Sequence, residues 1–161
     1  MLFRSGVATV VTKLLNQAQA DVALFGEKDY QQLLVIRALA RDLDIGTRIV
    51  GCPTLRDADG LAMSSRNVYL DARQRKFAPY MHQAMIWAAE RIRDGESIKL
   101  AINEAAASTS AAGYVIDYFE ARDATTLAPV EEGRRENIRL LFAGRMGTTR
   151  LIDNIPVPVK G

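Results

Sequence analysis

Lys28, followed by Asp29, Gln31 and Gln32, and the trio Ser64, Ser65 and Arg66 are the residues whose types and spacing could do chemistry. An ammonium where a strand runs into a helix, among backbone N–H groups that no helical carbonyl satisfies, suits a phosphate oxygen. Two hydroxyls and a guanidinium fork within three residues suit further phosphate oxygens. Gly26 either lets a ligand approach the backbone closely or simply makes a turn. Asp29 could accept ribose hydroxyls or only complement a helix dipole. The amides of Gln31 and Gln32 could bind a small acid or hydroxyl, and Met63 could pack on a purine ring or on the core. A Ser-Ser pair also makes an ordinary helix cap. Each residue taken singly has a structural explanation; taken jointly, at one sheet edge, they point to a nucleotide-phosphate site with a polar co-substrate.

That joint reading depends on the elements that carry these residues. Val7, Val10, Val11, Leu14, Leu15 and Ala18 fall at helical spacing. Asp21–Phe25 reads as a short buried strand closed by Gly26. A helix should begin near Lys28 or Asp29 and run to about Leu43, burying Leu33, Ile36, Leu39, Ala40 and Leu43. Gly46 ends it, and Arg48–Gly51 gives a second short strand. Helix–strand–helix–strand is the tail of a doubly wound parallel sheet, whose ligands bind outside the carboxyl ends of the strands. Both candidate stretches follow such a strand. Two parallel strands alone are too few for a stable sheet of this kind, so the first half of that sheet is expected to be missing.

Beyond Pro53, a loop with Asp57, Asp59 and Gly60 leads to Ser64–Asn67. Asp71 with Gln74 resembles a capping box and opens a helical stretch to Gly95, in which Pro79 should produce a kink or a new helix start. A further helix covers Ile98–Ala112. Strands at Tyr114–Ala121, Asn137–Gly144 and Thr149–Asp153 should form an antiparallel meander. The expected division is residues 1–68 as the remainder of a Rossmann-like nucleotide-binding domain and residues 69–161 as a small α+β lid domain. His82 reads as a partly buried structural histidine and Cys52 as a small core residue. Arg73, Arg75 and Lys76 read as a solvated helix face, and Arg150 with Asp153 and Asn154 as an ion pair or turn.

Composition narrows the classes. The 161 residues are 48% apolar and 25% charged with a net charge of +2, a globular chain with no concentrated basic face for nucleic acid. One cysteine and one histidine allow no internal disulfide and no zinc site of the His/Cys type, and a Ser–His triad could only use His82. No apolar run is long enough to span a membrane, and a reducing, cytoplasmic setting fits.

Four segments resemble the pantothenate synthetase family: Gly-Val-Ala-Thr-Val-Val-Thr-Lys-Leu at 6–14, Phe-Gly-Glu-Lys-Asp-Tyr-Gln-Gln-Leu at 25–33, Asp-Gly-Leu-Ala-Met-Ser-Ser-Arg-Asn at 59–67 and Thr-Arg-Leu-Ile-Asp-Asn at 149–154. The resemblance implies an ATP-dependent, AMP-forming ligase of a nucleotidylyltransferase-type fold, with magnesium accompanying ATP. Pantoate is adenylated with release of pyrophosphate, and the β-alanine amine then attacks the pantoyl adenylate. It assigns Gly26, Glu27, Lys28 and Asp29 to ATP, with Gly26 and Asp29 near the ribose and Lys28 near the phosphates. It assigns Gln32, Val10 and Val11 to pantoate. The Leu55 backbone and Met63 would touch adenine, while Ser64, Ser65 and Arg66 would grip phosphates as the counterpart of the Lys-Met-Ser-Lys-Ser loop of class I aminoacyl-tRNA synthetases. Lys28, Ser64, Ser65 and Arg66 would be the catalytic set, and the intact enzyme a homodimer.

The departure from the family is large. Its His-x-Gly-His segment and a further pantoate glutamine do not occur, and the His-Phe pair ahead of the first Gly-Val is replaced by Leu2-Phe3-Arg4-Ser5. The chain is therefore expected to be a C-terminal portion with an incomplete catalytic site, inactive by itself. Two rivals stand beside this reading: a non-catalytic nucleotide-binding or self-associating module, and an aminoacyl-tRNA synthetase-like piece, which the near-neutral charge disfavours.

Overall fold

Apolar residues at helical and at strand spacing occur in both units of this protein, and the computed structural model describes residues 2–159. One unit runs up to Thr54 and the other starts at Leu55. In the first, α1 (Leu2–Ala18), β1 (Val22–Gly26), α2 (Tyr30–Asp42) and β2 (Arg48–Cys52) follow in order, with a 3-10 turn, Glu27–Asp29, between β1 and α2. β1 and β2 pair in parallel from Val22 opposite Arg48 to Gly26 opposite Cys52, so the two strands end level with each other. Val11 and Leu15 of α1 and Ile36 of α2 pack against Ala23, Phe25 and Ile49 of the sheet.

The expectation of a buried strand at β1 is corrected: Val22 and Leu24 are 38% and 67% exposed. Successive strand residues face opposite sides, and only the side carrying Ala23 and Phe25 is covered by α1 and α2. The same geometry corrects the first helix, where Val11 and Leu15 are buried while Val10 and Leu14 are exposed on an adjoining stripe. Leu43, expected inside, is the C-cap of α2 and is exposed.

The second unit holds a loop with a 3-10 turn (Ser65–Tyr69), then α3 (Ala72–Phe77), α4 (Tyr80–Arg93), α5 (Ile98–Ala111) and the strands β3 (Tyr114–Asp123), β4 (Ile138–Met146) and β5 (Thr149–Pro156). The strands form an antiparallel meander in the order β3-β4-β5. The capping box is present: the Asp71 carboxylate accepts the Gln74 N–H at 2.8 Å and the Gln74 amide oxygen accepts the Asp71 N–H at 3.1 Å. Pro79 sits between α3 and α4 as the N-cap of the latter, where its missing N–H removes no helical bond. The Tyr114 hydroxyl donates to the Ala78 carbonyl just ahead of it, 2.8 Å away. Trp87, on the exposed side of α4, lies 4.2 Å from the Arg91 guanidinium.

Two further expectations change. Arg75 is not merely solvated, since it pairs with Asp57 at 3.1 Å and with Asp59. Arg150 bonds Asp117 at 2.6 Å instead of Asp153, because residues three apart on a strand lie on opposite faces. Asp117 is available there because the β3–β4 register slips between Ile116 and Tyr118, which re-aims its side chain.

The core of this unit packs closely around Phe142, whose ring meets Tyr114 and Phe119 edge-on at 5.5 and 5.6 Å. It also lies over Gly144, where an added Cβ would come within 2.9 Å of the ring and 3.1 Å of the Val115 carbonyl oxygen. Gly144→Ala should therefore destabilise the second unit by about 1–3 kcal/mol, the usual penalty of overpacking. Chemical unfolding followed at Trp87 measures this, and an unchanged midpoint would refute the packing account.

Candidate functional site

At the end of β1 the chain leaves the sheet through Gly26 and turns over Glu27–Asp29 into α2. Gly26 has φ −66°, which any residue adopts, and a Cβ there would meet nothing within 4 Å. Neither conformation nor packing demands glycine there, and the backbone at Gly26 is open to close approach. Asp29 is exposed at the N-cap of α2 and makes no capping hydrogen bond. Lys28, Gln31 and Gln32 are half-buried around the first turn of α2. The Glu27 carboxylate leans over β2, where its Oε1 stands 3.0 Å from the position of a Cβ on Gly51. Val10 is exposed on α1, and Val11 lies in the core of this unit.

In the second unit, residues 55–63 form a small hairpin. The Met63 N–H donates to the Leu55 carbonyl and the Asp57 N–H to the Leu61 carbonyl, both at 2.9 Å. Its tip is closed by the Gly60 N–H on the Asp57 carbonyl and by the Leu61 N–H on Asp59 Oδ1, at 2.9 and 3.2 Å. Gly60 has φ +92° and its Cα faces the His82 ring, so a side chain would be strained there twice over. Leu61 is 1% exposed and anchors the hairpin in the core.

Beyond the hairpin, Ser64 Oγ accepts the Arg66 N–H at 3.2 Å and caps the 3-10 turn, as the ordinary reading of a Ser-Ser pair expects. Its O–H still has a hydrogen to donate. The Asn67 amide donates to the Ala62 carbonyl at 3.2 Å and ties the turn back to the hairpin. Met63, Ser65 and Arg66 are exposed, as is Leu55, and the Arg66 guanidinium makes no ion pair among the described residues. Such a turn presents hydroxyls and a cation outward, which is chemistry suited to a polyanion.

Sequence reasoning missed what holds this loop. Arg56 Nη1 and Nη2 donate to Asp153 Oδ2 and Oδ1 at 2.6 and 2.9 Å, and Nη1 also donates to the Gly60 carbonyl at 3.1 Å. The Asp153 side chain has no solvent exposure. His82 Nδ1 lies 3.4 Å from Oδ2 and is buried without a well-aligned hydrogen bond, so it contributes proximity to the carboxylate. Burial pushes the Asp153 carboxyl up, but His82 and the Arg56 pair outweigh it and hold it below the usual carboxylate range. A signal did exist: Thr149, Leu151 and Asp153 alternate on the inward face of β5, and an acid at an inward position needs a partner.

A family model described as Pantoate-beta-alanine ligase matches residues 2–156. The chain belongs to the pantoate-beta-alanine ligase family. The pantothenate synthetases of Nitrobacter hamburgensis and of a Bradyrhizobium species are each 54% identical to it over 155 residues, 96% of this chain and 55% of theirs. The crystal structure of pantothenate synthetase from Thermus thermophilus matches with a TM-score of 0.89 at 42% identity, over 94% of this chain and 55% of that one. A pantoate-beta-alanine ligase from Francisella tularensis, complexed with beta-gamma ATP and beta-alanine, matches with a TM-score of 0.67 at 31% identity, over 94% of this chain and 49% of that one. The chain thus spans about half the length of these ligases. Its parallel pair and separate antiparallel meander are the mixed α/β architecture of their solved structures.

Because the fold depresses the Asp153 pKa, its contribution to stability is complete above about pH 4 and is lost as the pH falls through the folded value. Asp153→Asn should make the acid limb of the second unit's stability less steep. Denaturant midpoints at a series of pH values between about 2 and 6 test this; identical acid limbs for both proteins would remove the assignment.

Proposed function

We propose that the chain supplies the nucleotide- and pantoate-handling part of an ATP-dependent ligase that makes pantothenate, AMP and pyrophosphate from pantoate, β-alanine and ATP through a pantoyl adenylate. The observation that carries this reading is the family match over residues 2–156 together with identity as high as 54%. The ATP and beta-alanine in the Francisella tularensis ligase support the choice of ligands. Gly26–Asp29 would meet ribose and phosphates, the Leu55 backbone and Met63 adenine, and Ser64, Ser65 and Arg66 the phosphates. Gln32, Val10 and Val11 would serve pantoate. Magnesium would arrive as the counter-ion of the triphosphate, as part of the substrate.

Adenylation needs no general base, since the pantoate carboxylate is already a nucleophile. Negative charge develops on the α-phosphate and the departing pyrophosphate, and the Lys28 ammonium and Arg66 guanidinium are the donors suited to stabilise it. The remaining contribution is positioning of carboxylate, and later amine, against phosphorus and carbonyl carbon. Residues 1–68 take the nucleotide-binding role in this reading and residues 69–161 the role of a lid, although the hairpin from Leu55 on is built into the second compact unit. A homodimeric intact enzyme in the cytoplasm belongs to the same reading.

The chain's one histidine, His82, lies in α4, so no His-x-Gly-His segment comes from this chain. Alone, it should bind ATP weakly at most and form no useful amount of pantothenate. A coupled assay with all three substrates tests this, and turnover near that of a full-length relative would refute it. In a protein carrying the family's full length, Lys28→Ala should raise the adenylation barrier by about 2–4 kcal/mol. Pantoate-dependent exchange of pyrophosphate into ATP reads that step, and an unchanged rate would cancel the role. The uncovered face of β1 favours a second reading, a self-associating module; concentration-dependent light scattering that ATP does not alter would support it.

A further inference from the structure

The buried charged cluster under the Leu55–Met63 hairpin has no part in the chemistry proposed above. Arg56 and Asp153 are 97 residues apart in sequence, and the guanidinium spans the carboxylate of β5 and the carbonyl at the hairpin's tip. Pairing with both carboxylate oxygens fixes the plane of the guanidinium, which aims Nη1 at Gly60. The tip has little room to shift, because Gly60 is already against the His82 ring of α4. From this clamp the backbone passes through buried Leu61 and Ala62, and the Ala62 carbonyl holds Asn67 on the far side of the Ser-Ser-Arg turn.

We propose that Asp153 is a positioning residue: acting through Arg56, it fixes the Leu55–Met63 hairpin and thereby sets where the hydroxyls of Ser64 and Ser65 and the guanidinium of Arg66 are presented. The functional half of this inference rests on those three residues binding phosphate. Asp153 supplies no atom to the ligand; its carboxylate orients the clamp. An apolar side chain of equal volume would fill the space without orienting Arg56.

Amide hydrogen exchange on this chain tests the proposal. In Asp153→Asn and in Arg56→Ala, the amides of Gly60, Leu61 and Met63 should exchange about tenfold faster, as expected when a charge-assisted anchor of a local unit is lost. The amides of α5 and of β3 should keep their rates. Arg56→Lys should restore part of the protection, because an ammonium reaches one carboxylate oxygen. Asp117→Asn, which breaks the separate ion pair of Arg150 on β5, should leave the hairpin untouched. Unchanged hairpin exchange in both Asp153→Asn and Arg56→Ala overturns the proposal, and so does equal acceleration in Asp117→Asn or throughout the unit. In a protein carrying the family's full length, added magnesium-ATP should protect the amides of Arg66 and Asn67, and should do so less when Asp153 or Arg56 is substituted. If ATP leaves that turn unaffected in the unsubstituted full-length protein, the phosphate assignment falls and the functional half of the inference with it. The exchange comparison still decides the anchoring half.

Discussion

A carboxylate removed from water must be compensated from within the fold, and the Asp153–Arg56 pair is where this chain meets that demand. Its partners come from separate parts of the second unit: β5 gives the acid, the hairpin gives the guanidinium, and α4 gives the flanking imidazole. Removing one member of such a pair leaves the other uncompensated. Sheet, helix and loop therefore constrain one another through a single charge. The exposed side chains of Ser65 and Arg66 could not hold a fixed position by their own packing. Leu61 in the core below and Asn67 bonded to Ala62 are the other two restraints on that turn.

The first unit is organised differently. Its residues near the strand ends are placed by the parallel register, which brings Gly26 level with Cys52, and by a 3-10 turn that delays α2 until Tyr30. Among the described residues its apolar cluster has Val11, Leu15 and Ile36 as buried members, against nineteen in the cluster of the second unit. Burial of apolar area is the main source of stability. The described residues of the unit that carries Lys28 supply less of it, and the solvent-facing Val22 and Leu24 mark where further cover would add to it.

Much of this was legible in the residues. Helical spacing, short apolar runs and turn residues located the α-helices and strands, the Asp71–Gln74 pair announced its capping box, and Pro79 marked a kink or a new helix start, of which the structure has the second. What the sequence could not reveal was pairing at a distance. Asp153 and Arg150 look like neighbours in sequence, yet strand alternation sends them to opposite faces, one to Arg56 and the other to Asp117. Arg75 looked like one of several surface cations until the hairpin brought Asp57 and Asp59 beside it. The run at β1 looked buried because composition does not say how many helices cover a sheet. For Gly26 the residues allowed a turn or a close approach, and the ordinary φ of −66° shows only that the turn does not require glycine.

Trp87 carries a practical consequence. It is the chain's one tryptophan, and it sits on α4 with a guanidinium over its ring. The first unit contributes only tyrosine and phenylalanine chromophores, Tyr30 among them. Indole emission excited at the red edge, where phenols do not absorb, thus reports melting of the unit with the antiparallel meander, while far-ultraviolet dichroism sums both. Any gap between the two melting curves measures how independently the halves unfold, with no label attached.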